Sequence, residues 1–185
     1  KIVVSAKTTR IDKSDDELFM PTNIKEAYDY EYIFHTHPAT PKLGGRVKDG
    51  VLFEFPSVSD VFHFIDHYNK GSTQGSIIMA PEGLYNIRAI NNNKKIKMNI
   101  DREDRFYNEY VDIFEDANIE AIEDYGKRFN SKKFYSKIAQ DTQYIDQINK
   151  ILKKYNLCID YYPRIKNKRG EWVVDTIYIP IEPQE

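Results

Sequence analysis

Residues 32–67 read YIFHTHPATPKLGGRVKDGVLFEFPSVSDVFHFIDH, and this stretch decides the fold. All four histidines of the chain, His35, His37, His63 and His67, lie inside it. An apolar, strand-like run from Tyr32 ends in His-Thr-His-Pro. A glycine-containing excursion follows, and Pro-Ser-Val-Ser-Asp then opens a helical pattern that carries the second histidine pair. Side chains two apart in a strand share a face, about 7 Å apart at roughly 3.3 Å per residue. His35 and His37 can therefore converge on one ion where the strand ends, and Pro38, which removes a ladder donor, argues that it ends there. Neutral imidazole suits zinc, and a catalytic zinc takes three protein ligands with a fourth position open. Asp60 is the best third ligand, because it falls in the first turn of the next helix, where the helix dipole also favours an anion. Ser57-x-x-Asp60 ahead of Val61, Phe62 and Ile65 has a second reading as a capping-box variant, and the two roles are compatible. His63 and His67, four apart, share a helix face near Asp60 and either complete a second metal site or are solvated or bonded to backbone.

Composition sets outer bounds. A chain of 185 residues with 41% hydrophobic content can form one full domain, or a domain with an appendage. A net charge of -2 and a pI near 6.1 leave no electrostatic footprint for nucleic acid. The single cysteine, Cys158, excludes an intramolecular disulfide and fits a reducing compartment. No apolar stretch approaches the roughly 20 residues that span a bilayer, and the first residues carry no signal-peptide pattern. The expectation is a cytoplasmic, intracellular protein without membrane contact. The abundance of Lys, Asn, Ile and Tyr suits an AT-rich genome, such as that of a protist or a large DNA virus, so a place in a virion is also open.

Along the chain, KIVVSAKTT reads as a first strand and RIDKSDDELFMPTNIKEAYDY as a loop or short helix. The glycines of LGGRVKDG permit tight turns, and VLFEF reads as an added strand. This excursion either gates the cleft beside the ligands or is a neutral hairpin insertion. SIIMA and LYNIRAI flank Pro81-Glu82-Gly83 as a hairpin, Asn91-Asn92-Asn93 marks a turn, and KKIKMNI reads as a further short strand. From Asp101 the spacing turns helical, first through Phe106, Tyr110, Ile113, Phe114 and Ala117, then through Phe134, Ile138, Ile145, Ile148, Leu152 and Tyr155. Asn156 caps the last helix, and LCIDYYP with EWVVDTIYIPI suggests a terminal hairpin across KNKRG. The cluster Arg164, Lys166, Lys168 and Arg169 reads as a solvated turn. The expected fold class is α+β, with a first domain over residues 1–100 and a helical and β-hairpin extension over 101–185 that packs on it or recruits a partner.

His35-Thr36-His37-Pro38 followed by Ser57-Val58-Ser59-Asp60 resembles, in order and chemistry, the signature of the JAMM (MPN-plus) metalloproteases, which cleave isopeptide bonds to ubiquitin. The resemblance covers roughly residues 1–90. It implies a JAMM/MPN-like mixed sheet flanked by helices and a Zn2+ held by His35, His37 and Asp60, with Ser57 helping to hold the oxyanion. It further implies a zinc-dependent isopeptidase or peptidase acting on ubiquitin or ubiquitin-like conjugates, with an insertion ahead of Tyr32 that helps clamp the substrate. In two respects the chain departs from the family. The loop from Ala39 to Pro56 is longer than usual, and the signature glutamate, the general base, is not evident.

Three glutamates precede the histidines: Glu17, Glu26 and Glu31. Glu31 shares a strand face with His35 but lies about 13 Å away along an extended chain, too far to serve. In the family the base sits on a strand ahead of the one that KIVVSA resembles, so it would come from chain before Lys1, from another segment, or be missing. The alternative is therefore a catalytically inactive MPN-like scaffold in a large assembly, such as a regulatory complex or a virus particle. A zinc deaminase is weakened by the lack of a cysteine pair. The large barrel hydrolases with His-x-His need about 250 residues.

Overall fold

A computed structural model describes residues 28, 30–37, 53–97, 100–126 and 131–179. Strand β1 (Tyr32–Thr36), helix α1 (Val58–Lys70) and strand β2 (Gly75–Met79) form a βαβ unit. β1 and β2 run parallel, with Tyr32 opposite Gly75 and Thr36 opposite Met79. Parallel neighbours require a long crossover, which α1 supplies. The helix begins at Ser57 with a full capping box: Ser57 accepts from the Asp60 amide, and the Asp60 carboxylate accepts from the Ser57 amide. Val58, Val61, Phe64 and Ile65, spaced for one face, are buried.

β2 turns at Pro81-Glu82 into β3 (Gly83–Ala89), and the two pair antiparallel with Met79 opposite Leu84, as the hairpin reading expected. Gly83 cannot carry a side chain, since a Cβ there would lie 2.3 Å from the Tyr162 carbonyl. β4 (Leu157–Pro163) pairs antiparallel with β3, and the mixed sheet has the order β1-β2-β3-β4. Between β3 and β4 come α2 (Ile100–Tyr125), α3 (Ser131–Ser136) and α4 (Gln143–Leu152), with single 3-10 turns at Ile138–Gln140 and Lys153–Tyr155. Asn156, at φ 64, ends the last of these turns in the left-handed conformation, the capping role expected of it.

The class is α+β, as expected. One buried cluster draws on residues from both sides of residue 100. Val61, Phe64, Ile78, Tyr85 and Ile87 are buried in one cluster with Phe106, Tyr110, Tyr144, Ile148, Leu157 and Ile159. The C-terminal half thus supplies both a sheet strand and helices to the buried cluster that holds Tyr85 and Ile87.

Other expectations change in detail. Phe53–Phe55, the described part of VLFEF, is not a strand. The Phe53 amide donates to Asn118 Oδ1 at 3.3 Å, and the Phe53 and Phe55 rings stack at 4.7 Å inside the core. Lys94–Lys97, from KKIKMNI, is not a strand either, because the Asn69 side chain of α1 takes both backbone groups of Ile96, at 2.6 and 2.9 Å. LCIDYYP does not pair with EWVVD, since burial of Leu157 and Ile159 draws it into the main sheet as β4. The terminal hairpin shrinks to β5 (Ile165–Lys166) and β6 (Trp172–Val173), joined through a turn with Gly170 at φ 83. Arg164, read as part of a solvated cluster, instead donates from Nε to the Pro81 carbonyl at 2.8 Å. KIVVSAKTT, most of the segment after it and LGGRVKDG lie outside the described residues, as do Glu17 and Glu26. Among the described residues no helix is long and apolar enough to cross a membrane.

Candidate metal centre

The βαβ unit brings the end of β1 to the beginning of α1. The ladder runs one residue past β1, the His37 amide donating to the Met79 carbonyl at 2.9 Å, so His35 and His37 leave the sheet in register. The capping box fixes Asp60 opposite them. His35 Nε2 lies 3.0 Å from Asp60 Oδ1, His37 Nε2 lies 3.3 Å from Asp60 Oδ2, and the two Nε2 atoms are 3.3 Å apart. A tetrahedral zinc with bonds of about 2.0–2.1 Å has ligand atoms about 3.3–3.4 Å from one another. The three side chains that the His-x-His-Pro and Ser-x-x-Asp spacing nominated therefore come together closely enough to hold a metal ion. Among the described residues they are the sole group of three potential ligands whose donor atoms lie within 4.8 Å of one another.

The donors also fit the ion chemically. His37 Nδ1 is 3.0 Å from the Glu54 carbonyl, which can only accept, so Nδ1 carries the proton and Nε2 turns its lone pair inward. That lone pair then faces the Asp60 carboxylate, and two acceptors so close need a cation between them, a proton or a metal. Burial alone would lower the basicity of His37, but the hydrogen bond and charge of Asp60 outweigh it and raise its pKa. Burial likewise works to raise the Asp60 pKa, and hydrogen bonds from His35 and His37 overcome it, holding the carboxyl far below the usual range.

Ser57, the expected oxyanion hydroxyl, lies beside the centre on the exposed side. Its Oγ–H donates to Asp60 Oδ2 at 2.7 Å, and its amide donates to the same oxygen at 2.6 Å. The cap and the site thus share one carboxylate. His63 and His67 form a separate pair, Nε2 to Nε2 at 3.1 Å, with the His67 ring buried and tilted against Tyr28. Burial, then the neighbouring His67 and His35, push His63 down to about 4. No third ligand within metal-binding reach joins them among the described residues.

Two glutamates that sequence reasoning overlooked flank the centre. The Glu54 carbonyl holds His37, and its carboxylate adds to the pull toward protonated His37. Glu82 is wholly buried, at 0% exposure, in the β2–β3 turn. Its Oε1 accepts from the Glu54 amide at 2.8 Å and from the Tyr85 hydroxyl at 2.8 Å, and burial pushes its pKa up to about 7. The alternation of VLFEF held no hint of Glu54, and a glutamate between proline and glycine reads as an exposed turn residue.

The chain matches no protein-family model and no solved structure. Over 178 residues, 96% of its length, it is 35% identical to an uncharacterized protein of Acanthamoeba polyphaga mimivirus. It spans about half, 50%, of that relative's length.

Proposed function

We propose that this chain is a zinc-dependent hydrolase of JAMM type, an isopeptidase or peptidase whose substrates carry ubiquitin or a ubiquitin-like modifier. The observation that carries the proposal is the convergence of His35, His37 and Asp60: the two Nε2 atoms are 3.3 Å apart, and they lie 3.0 and 3.3 Å from the two separate oxygens of the Asp60 carboxylate. Zinc, when bound, supplies Lewis-acid polarisation of the scissile carbonyl and of the attacking water. Asp60, kept ionised, and His37, kept in the Nδ1–H form, present the ligand atoms without further rearrangement. Ser57 donates its hydroxyl toward the oxyanion once its proton turns away from Asp60, and loss of such a donor costs on the order of 10² to 10³ in rate. Glu54, whose backbone carbonyl accepts from His37 Nδ1, is the carboxylate we assign to accept the proton from water and return it to the leaving amine. The test is zinc content together with cleavage of an isopeptide-linked ubiquitin dimer. The proposal expects one zinc per chain and cleavage lost in His37→Ala and in Glu54→Gln, with zinc retained in the latter. Cleavage by His37→Ala in excess chelator would refute it.

A second reading, a catalytically silent MPN-like scaffold in a large assembly or virus particle, is favoured by one observation. The distances that suit a metal also suit a His–Asp–His hydrogen-bond network closed by a proton, which would pin β1 to α1 without chemistry. Zinc uptake without cleavage of any isopeptide or peptide substrate, unchanged in Glu54→Gln, would favour it.

A further inference from the structure

We propose that Glu82 is a positioning residue for this centre, fixing His37 through the backbone of Glu54. The inference rests on the metal-centre reading above and adds a residue to it. Two hydrogen bonds in series carry it. Glu82 Oε1 accepts from the Glu54 amide at 2.8 Å, and the Glu54 carbonyl accepts from His37 Nδ1 at 3.0 Å. The segment that contains Glu54 belongs to no strand, so no ladder holds this backbone in place. Side chains hold it instead: Asn118 at the Phe53 amide, Glu82 at the Glu54 amide, and Tyr110, whose hydroxyl donates to the Pro56 carbonyl at 2.6 Å. Of these, Glu82 acts on the residue that fixes the His37 tautomer.

Burying an ionisable group is costly, and a hydroxyl or amide oxygen would accept from one backbone amide at lower cost. Glu82 nevertheless sits at 0% exposure with both of its hydrogen bonds on Oε1, and Oε2 has no partner among the described residues. The turn that carries it is itself clamped. The Arg164 amide donates to the Glu82 carbonyl at 3.1 Å, and Arg164 Nε donates to the Pro81 carbonyl at 2.8 Å. The relay therefore runs from a rigid turn, through Glu54, to a ligand ring. It is an outer-shell arrangement with a backbone inserted between carboxylate and imidazole.

The test uses Glu82→Leu, which removes the acceptor, and Glu82→Gln, which keeps one. Imidazole nitrogen spectra of the metal-free protein give the His37 tautomer, and a Zn2+ titration gives affinity. Recorded at a pH above the His37 pKa, where the ring is neutral, wild type and Glu82→Gln should show the Nδ1–H form of His37. Glu82→Leu should show a mixture with the Nε2–H form and bind Zn2+ about 10- to 100-fold more weakly, the usual cost of losing an outer-shell partner. A folded Glu82→Leu with the Nδ1–H form intact and unchanged Zn2+ affinity would overturn the proposal. Should Glu82→Leu fail to fold, Glu82→Gln decides: the Glu54 amide and His37 Nδ1–H resonances must shift together, and a shift at Glu54 alone overturns the relay. Wild type that takes up no Zn2+ would sink the metal-centre reading, while the metal-free spectra still judge Glu82.

Discussion

His35 and His37 bring their Nε2 atoms to 3.3 Å across one residue of strand, and His63 and His67 bring theirs to 3.1 Å across one turn of helix. Near-equal geometry leads to opposite chemistry. The strand pair meets Asp60, and His37 is drawn toward its protonated form. In the helix pair, burial comes first and the charges of other histidines second, and His63 is pushed down to about 4. Two close imidazoles are thus not in themselves a cation site. A half-buried carboxylate, held by a helix cap, makes one of the pairs a candidate cation site, and the other pair has no such partner within metal-binding reach among the described residues.

The sharpest way to break this contrast is Asp60→Ala, which leaves His35 and His37 in the condition of the other pair. Losing a ligand should weaken Zn2+ binding by more than the roughly 100-fold upper range for an outer-shell partner. His63→Gln and His67→Gln should leave the affinity near wild type. Calorimetric titration of the three variants checks both halves, and equal losses in all three would erase the distinction. Proton and metal compete for His37 Nε2, so Zn2+ affinity should fall by about tenfold for each pH unit below the His37 pKa. Titrations at several pH values that show no such fall would place the metal elsewhere.

Folding stability should register the second pair in the reverse sense. His63 has its folded pKa lowered from 6.5 to about 4, so the native state binds fewer protons than the unfolded chain in that window. The stability it contributes is fully present above about pH 6.5 and is lost as pH falls toward 4. After a discount for its partial exposure, about 1–2 kcal/mol is expected. Denaturant melts of wild type and His63→Gln across that range measure it, and parallel pH profiles would contradict the burial argument. Smallest is Ser57→Ala. The cap on α1 should cost about 1 kcal/mol, read from the same melts, and a neutral result would mean that the Asp60 carboxylate fixes the helix end unaided.

The part of the centre that lies close in sequence was legible. His35 and His37 are two apart on a strand that Pro38 terminates, and Ser57 and Asp60 are three apart at a helix start, so spacing alone fixed their mutual placement. The hairpin around Pro81-Glu82-Gly83 was legible for the same reason. β4 was not, because its pairing with β3 joins Gly83 to Pro163 and is chosen by burial against helices that lie between them in sequence. The VLFEF alternation also misled, since Phe53 and Phe55 take their places from ring stacking and side-chain hydrogen bonds rather than from a ladder. Glu82 stayed hidden because its meaning depends on the Glu54 backbone, 28 residues away in sequence.

The most direct measurement of the central claim is a Zn2+ titration of the intact chain followed on all four histidine rings by nitrogen-detected spectra. The account predicts saturation at one equivalent, with His35 and His37 shifting together at Nε2 while His63 and His67 keep their metal-free positions. Uptake that moves His63 and His67 instead, or no uptake at all, would contradict it.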